Sequence, residues 1–382
     1  MNATSLLNLI PKDKLDFLAA QTKTNHQVKK LDGATMFRLI LFSMLNSNKA
    51  SLRIMEGFYH SATFKALSGK VNSTTKYNSI RDRITTINSD YFEKIFQLLF
   101  DNFSSKLNER DSVIKFDSTM VAISSKLVDW GMKVGHKTNK KQIKFTVGMK
   151  GSFPCHVSIY KSQKSLSEDL TIPEAILNCS ESKEGIIVFD RGVSSRKSFA
   201  SFINNDLRFV TRVNPNIVFQ EIEKMKWKAK KANGLIINSD TIVKLKDRNG
   251  NWMESNLRLI KAHIIESKMD ILFLTNIEDL SPVEIAQTYK QRWEIEVLFK
   301  FLKQELNLNH LVSRTENGIR VMIYMTLILA ILLIAYKKLN KMNGFKIPKL
   351  KFANELESEI IREIVVLCGG SPEKMKHLFS GP

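Results

Sequence analysis

Cysteine is scarce in this chain. Three occur in 382 residues, Cys155, Cys179 and Cys368. None stands in a CxxC spacing, which argues against a disulfide framework and a zinc ribbon and fits a reducing, cytoplasmic setting. The seven histidines are scattered and include no HExxH pair, so a zinc-protease helix is excluded. No internal repeat and no low-complexity tract appears. The start, MNATSLLNLIPKDKLDF, has no signal-peptide architecture. No apolar run reaches the ~20 residues that cross a bilayer. The longest, Val321 to Tyr336, is flanked by Arg320, Lys337 and Lys338 and is expected to be a buried core helix, with no membrane partner.

Acids are also in short supply. Lys and Arg number 58 against 38 Asp and Glu, a formal net charge of +20. Such an excess points to a polyanionic partner, nucleic acid first and an anionic membrane surface second. It says nothing about fold. The apolar fraction of 43% is ordinary, and the length allows two or three domains with a substantial core.

Residues 1–108 read as helical. Met36–Leu45 and Ser51–Phe58 are apolar or amphipathic, Ser73-Thr74-Thr75 offers a cap to a helix carrying Lys76, Tyr77, Arg81 and Arg83, and Tyr91–Phe100 is amphipathic. This is compatible with a helix-turn-helix-like DNA reader and equally with a plain helical bundle. At Val113 the texture changes to strands. A short one ends at Asp117, Ile143–Met149 and Cys155–Tyr160 follow as a meander, and a basic connection from Gly131 to Lys141 lies between. A buried-type strand, Gly185–Phe189, ends at Asp190, Ser194 and Ser195 can cap a helix through Phe202, and Leu207–Val213 is a further strand. Residues 214–270 are Lys-rich and turn-rich between short β pieces, with Asn249-Gly250 as a hairpin turn. Ser281-Pro282-Val283-Glu284 is a capping box with proline at the first helical position. A basic tail then leads to a short terminal helix near Ala353–Leu367.

The stretch Tyr289–Lys303, YKQRWEIEVLFKFLK, reads as one helix. At ~100° per residue Tyr289, Arg292, Glu296, Lys300 and Lys303 share one narrow face, with Ile295, Leu298 and Leu302 behind it. One acid among three bases and a phenol suits a metal together with phosphates; a solvated face with i,i+4 ion pairs reads equally well. Glu294 and Glu305 are rival carboxylates, and both point away from Arg292 and Lys303. Asp117 and Asp190 each end a strand and could be simple turn formers. Three converging carboxylates would suit hard divalent cations. Two such ions can activate an attacking hydroxyl and stabilise the leaving oxygen of a phosphodiester.

Tyr289, Arg292, Glu296 and Lys303 fit Y-x2-R-x3-E-x6-K, and the chain resembles the DDE transposases of bacterial insertion sequences, in the group named for insertion sequence 4. KFDST around Asp117, VFDRG around Asp190 and the order Asp, Asp, β-rich stretch, Glu belong to the same likeness. The resemblance implies an α/β protein with a ribonuclease-H-like catalytic core interrupted by a β-rich insertion, behind an N-terminal helical domain. The implied division is 1–108 helical and DNA-binding, 109–213 first part of the core, 214–270 insertion, 271–340 second part of the core, and 341–382 basic tail. In such a sheet the first and fourth strands are neighbours, which would set Asp117 beside Asp190.

It implies that Asp117, Asp190 and Glu296 bind two Mg²⁺ ions, with Mn²⁺ as a substitute. Tyr289, Arg292 and Lys303 would hold DNA phosphates, with Lys300 as a helper. The activity implied is cut-and-paste transposition through a hairpin, on double-stranded DNA carrying terminal inverted repeats and on target DNA. A homodimer in the synaptic complex and a cytoplasmic, nucleoid-associated setting are implied with it. The alternative is a catalytically inactive DNA-binding derivative. Aromatic residues of relatives hold an extruded base; Trp293 matches the pattern, and Trp252 is a second candidate that reads equally well as a hairpin packing residue. Val193 departs from the aromatic often found there. Lys133–Lys141 and Lys224–Lys231 could track the DNA backbone, or be solvated charged faces.

Overall fold

The computed structural model describes residues 2–47, 49–106, 112–123, 130–133, 141–232, 234–247 and 249–375. They fall into two compact units, one within residues 1–107, 123–128 and 300–382, the other within 108–122 and 129–299.

The first unit is helical: α1 (Ala3–Leu7), α2 (Lys12–Gln21), α3 (Gly33–Asn46), α4 (Leu52–His60), α5 (Ala62–Ser68), α6 (Tyr77–Thr86) and α7 (Ser89–Lys106), joined by the later helices α12 (Glu316–Leu339) and α13 (Lys346–Leu367). A helix that is apolar all round must be covered all round. That helix is α12: it is long and apolar enough to cross a membrane, and 94% of its most apolar window is buried inside the protein. Tyr324 of α12 meets Phe96 of α7 with ring centroids 5.9 Å apart. Asn317 donates to the carbonyls of Thr85 and Ile87 at 3.1 and 2.7 Å, satisfying groups that the end of α6 leaves over.

Two local expectations are corrected here. No side chain of Ser73–Thr75 caps α6; the Tyr77 N–H donates instead to Glu56 at 3.2 Å, so the cap comes from α4. Arg83 of the same helix is tied to the chain around it. It donates to the carbonyls of Leu31 and Thr24 at 2.8 and 2.6 Å and is a structural clamp. The terminal helix α13 begins at Lys346, well before the expected Ala353, because Pro348 falls in its first turn, where a missing N–H costs nothing.

The second unit is a mixed α/β sheet. Its strands are β1 (Val113–Ile123), β2 (Met132–Lys133), β3 (Lys141–Lys150), β4 (Phe153–Tyr160), β5 (Ile186–Phe189), β6 (Arg208–Val213), β7 (Phe219–Lys224), β8 (Lys230–Ala232), β9 (Leu235–Leu245), β10 (Leu257–Ile264) and β11 (Met269–Thr275). Its helices are α8 (Glu168–Asn178), α9 (Arg196–Asn204), α10 (Pro282–Lys290) and α11 (Trp293–Gln304, in this unit through Phe299). The strand order is β2-β3-β1-β5-β6-β11-β10-β9-β7, with β4 on β3 and β8 on β9.

β1, β5 and β6 are parallel neighbours, linked by crossovers through α8 and α9. Parallel strands are covered on both faces, and β5 (Ile-Ile-Val-Phe) is buried at every position. At the start of the β1–β5 pair the backbones approach so closely that a Cβ on Gly185 would overlap the Ser112 carbonyl oxygen. Beyond β6 the sheet turns antiparallel. β11 pairs with β6, and β10, β9 and β7 continue the same sheet outward. The Lys-rich stretch is anchored by Trp227, whose indole N–H donates to the Ile237 carbonyl at 3.1 Å. Cys155 and Cys179, far apart in sequence, are buried together with Glu181; burial pushes the Cys155 thiol up, which keeps it a protonated packing group.

Candidate active site

The parallel register of β1 and β5 sets Phe116 opposite Phe189, so Asp117 and Asp190 occupy the next position on each chain. Asp117 does not end its strand. β1 runs on to Ile123, but its pairing with β5 stops at Phe116, so Asp117 sits where the two strands part. Asp190 follows β5 directly and opens a turn, with the Val193 N–H donating to its carbonyl at 3.3 Å.

The stretch expected as a single helix is two. α10 ends at Lys290, α11 begins at Trp293, and Gln291-Arg292 form the turn between them. The backbone there stays near helical values but tightens. Gln291, Arg292, Glu294 and Ile295 each donate to the carbonyl three residues back, at 3.0 to 3.2 Å, the pattern of a 3₁₀ turn. Nothing in the residue types breaks the helix, which is why the periodicity runs through. The capping box at Ser281 and Glu284 forms as expected and starts α10. Ile295, Leu298 and Leu302 are buried as the core stripe.

The turn brings its side chains to both aspartates. The Tyr289 hydroxyl donates to Asp190 Oδ1 at 3.4 Å. One Arg292 nitrogen lies 3.9 Å from Asp117 Oδ2 and the other donates to Glu296 Oε1 at 2.5 Å. Arg292 also lies 5.8 Å from the Tyr289 ring centroid, and Arg212 of β6 lies 6.0 Å from it. Burial pushes the Asp117 carboxyl up to about 6; Glu168 and Asp190 push the same way, while the Ser118 N–H and Arg292 oppose them. Burial likewise pushes Tyr289 up to about 12, so it is a hydroxyl donor at neutral pH.

Glu294, the rival carboxylate, faces elsewhere: its Oε2 lies 3.0 Å from the ammonium of Lys115, which is completely buried in β1 and also donates to the Gly151 carbonyl at 3.0 Å. Lys300 and Lys303 follow Glu296 by four and seven residues on α11, the first exposed and the second half-buried. Trp293 is 64% exposed. It lines a cavity of about 610 Å³ with apolar walls (Leu235, Ile237, Ile271, Phe273) and a rim of Lys231, Lys290 and Arg292. Trp252 bridges to Lys246 across the hairpin, with the ammonium 5.4 Å from its ring centroid. Lys224, Lys226, Lys228, Lys230 and Lys231 are all exposed. Of the run Lys133–Lys141, residues 134–140 lie outside the described residues.

Several neighbours were not legible in the sequence. Lys115, Arg212, Glu168 and Asp169 carry no motif: Lys115 meets Glu294, Arg212 the Tyr289 ring and Asp169 the Ser194-Ser195 backbone, all distant in sequence, and Glu168 acts on Asp117 through its charge. The only local hint was the acidic first turn of α8, ordinary for any helix N-terminus.

Asp117, Asp190 and Glu296 are all oxygen donors, and burial first, with the charges of Glu168 and Asp190 after it, raises Asp117. Oxygen donors fit a hard divalent cation, whose charge would relieve the repulsion, but the oxygens of these three do not all lie within 4.8 Å of one another; Arg292 links Asp117 to Glu296 instead.

Two aspartates where adjacent parallel strands end or part are thus met by the tyrosine, arginine and glutamate of the α10–α11 junction. Residues 108–333, more than half of the chain, match the transposase DDE domain family, and the protein belongs to that family. Membership implies nuclease and transferase activity on DNA, and enzymes of this kind use a divalent metal. The chain is 28% identical over 276 residues to a protein named as a putative transposase for insertion sequence element IS4SA in Synechocystis sp., covering 70% of this chain and 75% of that one. It is 23% identical over 308 residues to a protein named as a probable transposase for insertion sequence element IS5377 in Geobacillus stearothermophilus, covering 78% and 76%.

Proposed function

We propose that the protein is the transposase of an insertion sequence of the insertion sequence 4 group, moving it by a cut-and-paste route with a hairpin at the excised end. The observation that carries this reading is the set of contacts made at the α10–α11 junction: Tyr289 to Asp190, and Arg292 to both Asp117 and Glu296. The sheet order β4-β3-β1-β5-β6 supports a ribonuclease-H-like core, with 214–270 as its β-rich insertion. The helical residues 1–108 are then the DNA-binding domain and 341–382 a basic tail.

In this reading Asp117, Asp190 and Glu296 hold two Mg²⁺ ions, for which Mn²⁺ substitutes; bound there, they supply charge stabilisation for the attacking and leaving oxygens of a phosphodiester. The chain's own residues do the rest. Arg292 has a planar fork that can turn from Glu296 to a phosphate, and Tyr289 donates a hydroxyl proton beside it. Lys300 and Lys303 extend the cationic face along α11. In each step one P–O bond forms to the attacking hydroxyl oxygen and one breaks, the leaving 3′ oxygen taking up a proton. Trp293, exposed at the rim of an apolar cavity, is better placed than Trp252 to stack on an extruded base. The exposed lysines at 224–231 meet the backbone of double-stranded DNA, both terminal inverted repeats and target. The active form is a homodimer bridging two ends, acting on the nucleoid in the cytoplasm.

The test is incubation of the protein with duplexes carrying the ends of its own element and Mg²⁺. A nick followed by a hairpin-ended product is expected, and Asp117→Asn should bind the duplex without cutting it. Binding without cutting by the unaltered protein would mark it as an inactive DNA-binding derivative.

A further inference from the structure

Asp190 has to hold its carboxylate in one place, yet it belongs to a turn rather than to a strand. β5 stops at Phe189, so besides the Tyr289 hydroxyl at 3.4 Å the place of Asp190 depends on the far side of its turn. That far side is Ser194-Ser195, the entry to α9. Helix N-termini leave N–H groups unpaired, and a serine here would be expected to cap its own helix. Instead, Asp169 Oδ1 accepts the N–H groups of Ser194 and Ser195 at 2.5 and 2.7 Å, and its Oδ2 accepts the Ser194 hydroxyl at 3.2 Å. The anchor is thus a carboxylate in the first turn of α8. The middle of the loop touches that same turn: a Cβ on Gly192 would overlap the Glu168 carboxylate. Between these two points Val193 is fully buried.

We propose that Asp169 is a positioning residue for Asp190, its hydrogen bonds clamping the Asp190–Ser195 loop to α8 so that the Asp190 carboxylate is preset for its cation. This rests on the reading of Asp117 and Asp190 as cation ligands. Residues that hydrogen-bond around a metal ligand typically account for about 10–100-fold in metal affinity. The role depends on acceptor geometry rather than on charge. Asparagine at 169 can place its carboxamide oxygen where Oδ1 stands and take both N–H groups, and its amide can donate to the Ser194 hydroxyl. Alanine can do neither.

The experiment is a calorimetric titration of the full chain with Mn²⁺ in the absence of DNA, with circular dichroism to confirm folding. Asp169→Ala should bind Mn²⁺ about 10–100-fold more weakly than the unaltered protein, and Asp169→Asn should stay close to it. Ser195→Pro, at a φ of −67° that proline accepts, removes one of the two N–H groups that Asp169 takes; it should weaken binding in the same direction and decides the matter should Asp169→Ala not fold. Unchanged affinity in a folded Asp169→Ala, or in Ser195→Pro when the former does not fold, overturns the proposal. So does an Asp169→Asn variant as weak as Asp169→Ala, since charge would then be the cause. Full binding retained by Asp117→Asn and Asp190→Asn overturns the site reading itself and this proposal with it, whereas binding lost in those two but kept in Asp169→Ala overturns the proposal alone.

Discussion

At Asp117, burial and charge pull against each other. The carboxylate is largely withdrawn from water and stands near Glu168 and Asp190, with Arg292 as partial compensation. Its folded value of about 6 lies above the ordinary value of 3.8, so the folded protein binds the extra proton between those values. Stability from this group is therefore complete below about pH 4 and is lost as pH rises through about 6, about 3 kcal/mol in all. Asp117→Asn should accordingly unfold at higher urea than the unaltered protein at about pH 8 without metal, and at the same urea at about pH 4. Adding Mg²⁺ at the higher pH should narrow the gap by stabilising only the unaltered protein. An Asn variant less stable than the parent at the higher pH would mean that Asp117 is held by favourable partners rather than strained by its surroundings.

The first turn of α11 sorts two glutamates by face. Glu294 pairs with Lys115, an ammonium with no exposure, and Glu296 pairs with Arg292. Glu294→Gln takes the carboxylate charge away from a buried cation and should cost about 1–3 kcal/mol in urea unfolding, with end cleavage retained. Glu296→Gln should do the reverse, abolishing cleavage at little cost in stability; if Glu294→Gln alone stops cleavage, the assignment of the two acids is interchanged. The capping box was readable at Ser281 because its partner stands three residues away. Asp117 and Asp190 were readable as a pair through the resemblance, which supplied the adjacency of β1 and β5. The Gln291–Arg292 turn was not readable, since it differs from helix only in bonding three residues back instead of four. Lys115 and Asp169 were not readable either: their partners lie 179 and 25 residues away, and a lone lysine in a strand or an aspartate in a first helical turn is ordinary by itself. The first turn of α8 illustrates the same limit, because Asp169, which looks like a dipole complement, is in fact tied to another loop.

On the scale of the whole chain, a net charge of +20 has two readings, and they differ in how they respond to salt and lipid. In the second unit the exposed lysines between 224 and 231 stand on one edge of the sheet, with Lys231 at the rim of the cavity that Trp293 also lines. In the first unit the apolar face that a bilayer would need is consumed, since the long helix α12 is covered by its own neighbours. The charge is therefore expected to serve phosphate binding. Each neutralised phosphate releases counterions, so affinity for duplex DNA should fall linearly on a logarithmic salt scale. A protein that neutralises about six to ten phosphates would bind about 10³–10⁵-fold more weakly at 200 mM salt than at 50 mM. Asp117→Asn, which should bind without cutting, allows this to be measured by fluorescence anisotropy on a duplex carrying an element end. Changing Lys224, Lys226, Lys228, Lys230 and Lys231 together to glutamine should lower the slope by about 0.9 for each phosphate that those lysines neutralise and leave the unfolding midpoint unchanged. An unaltered slope would assign those lysines to a solvated face, and sedimentation with anionic vesicles at high salt, without DNA, would return α12 to the membrane reading.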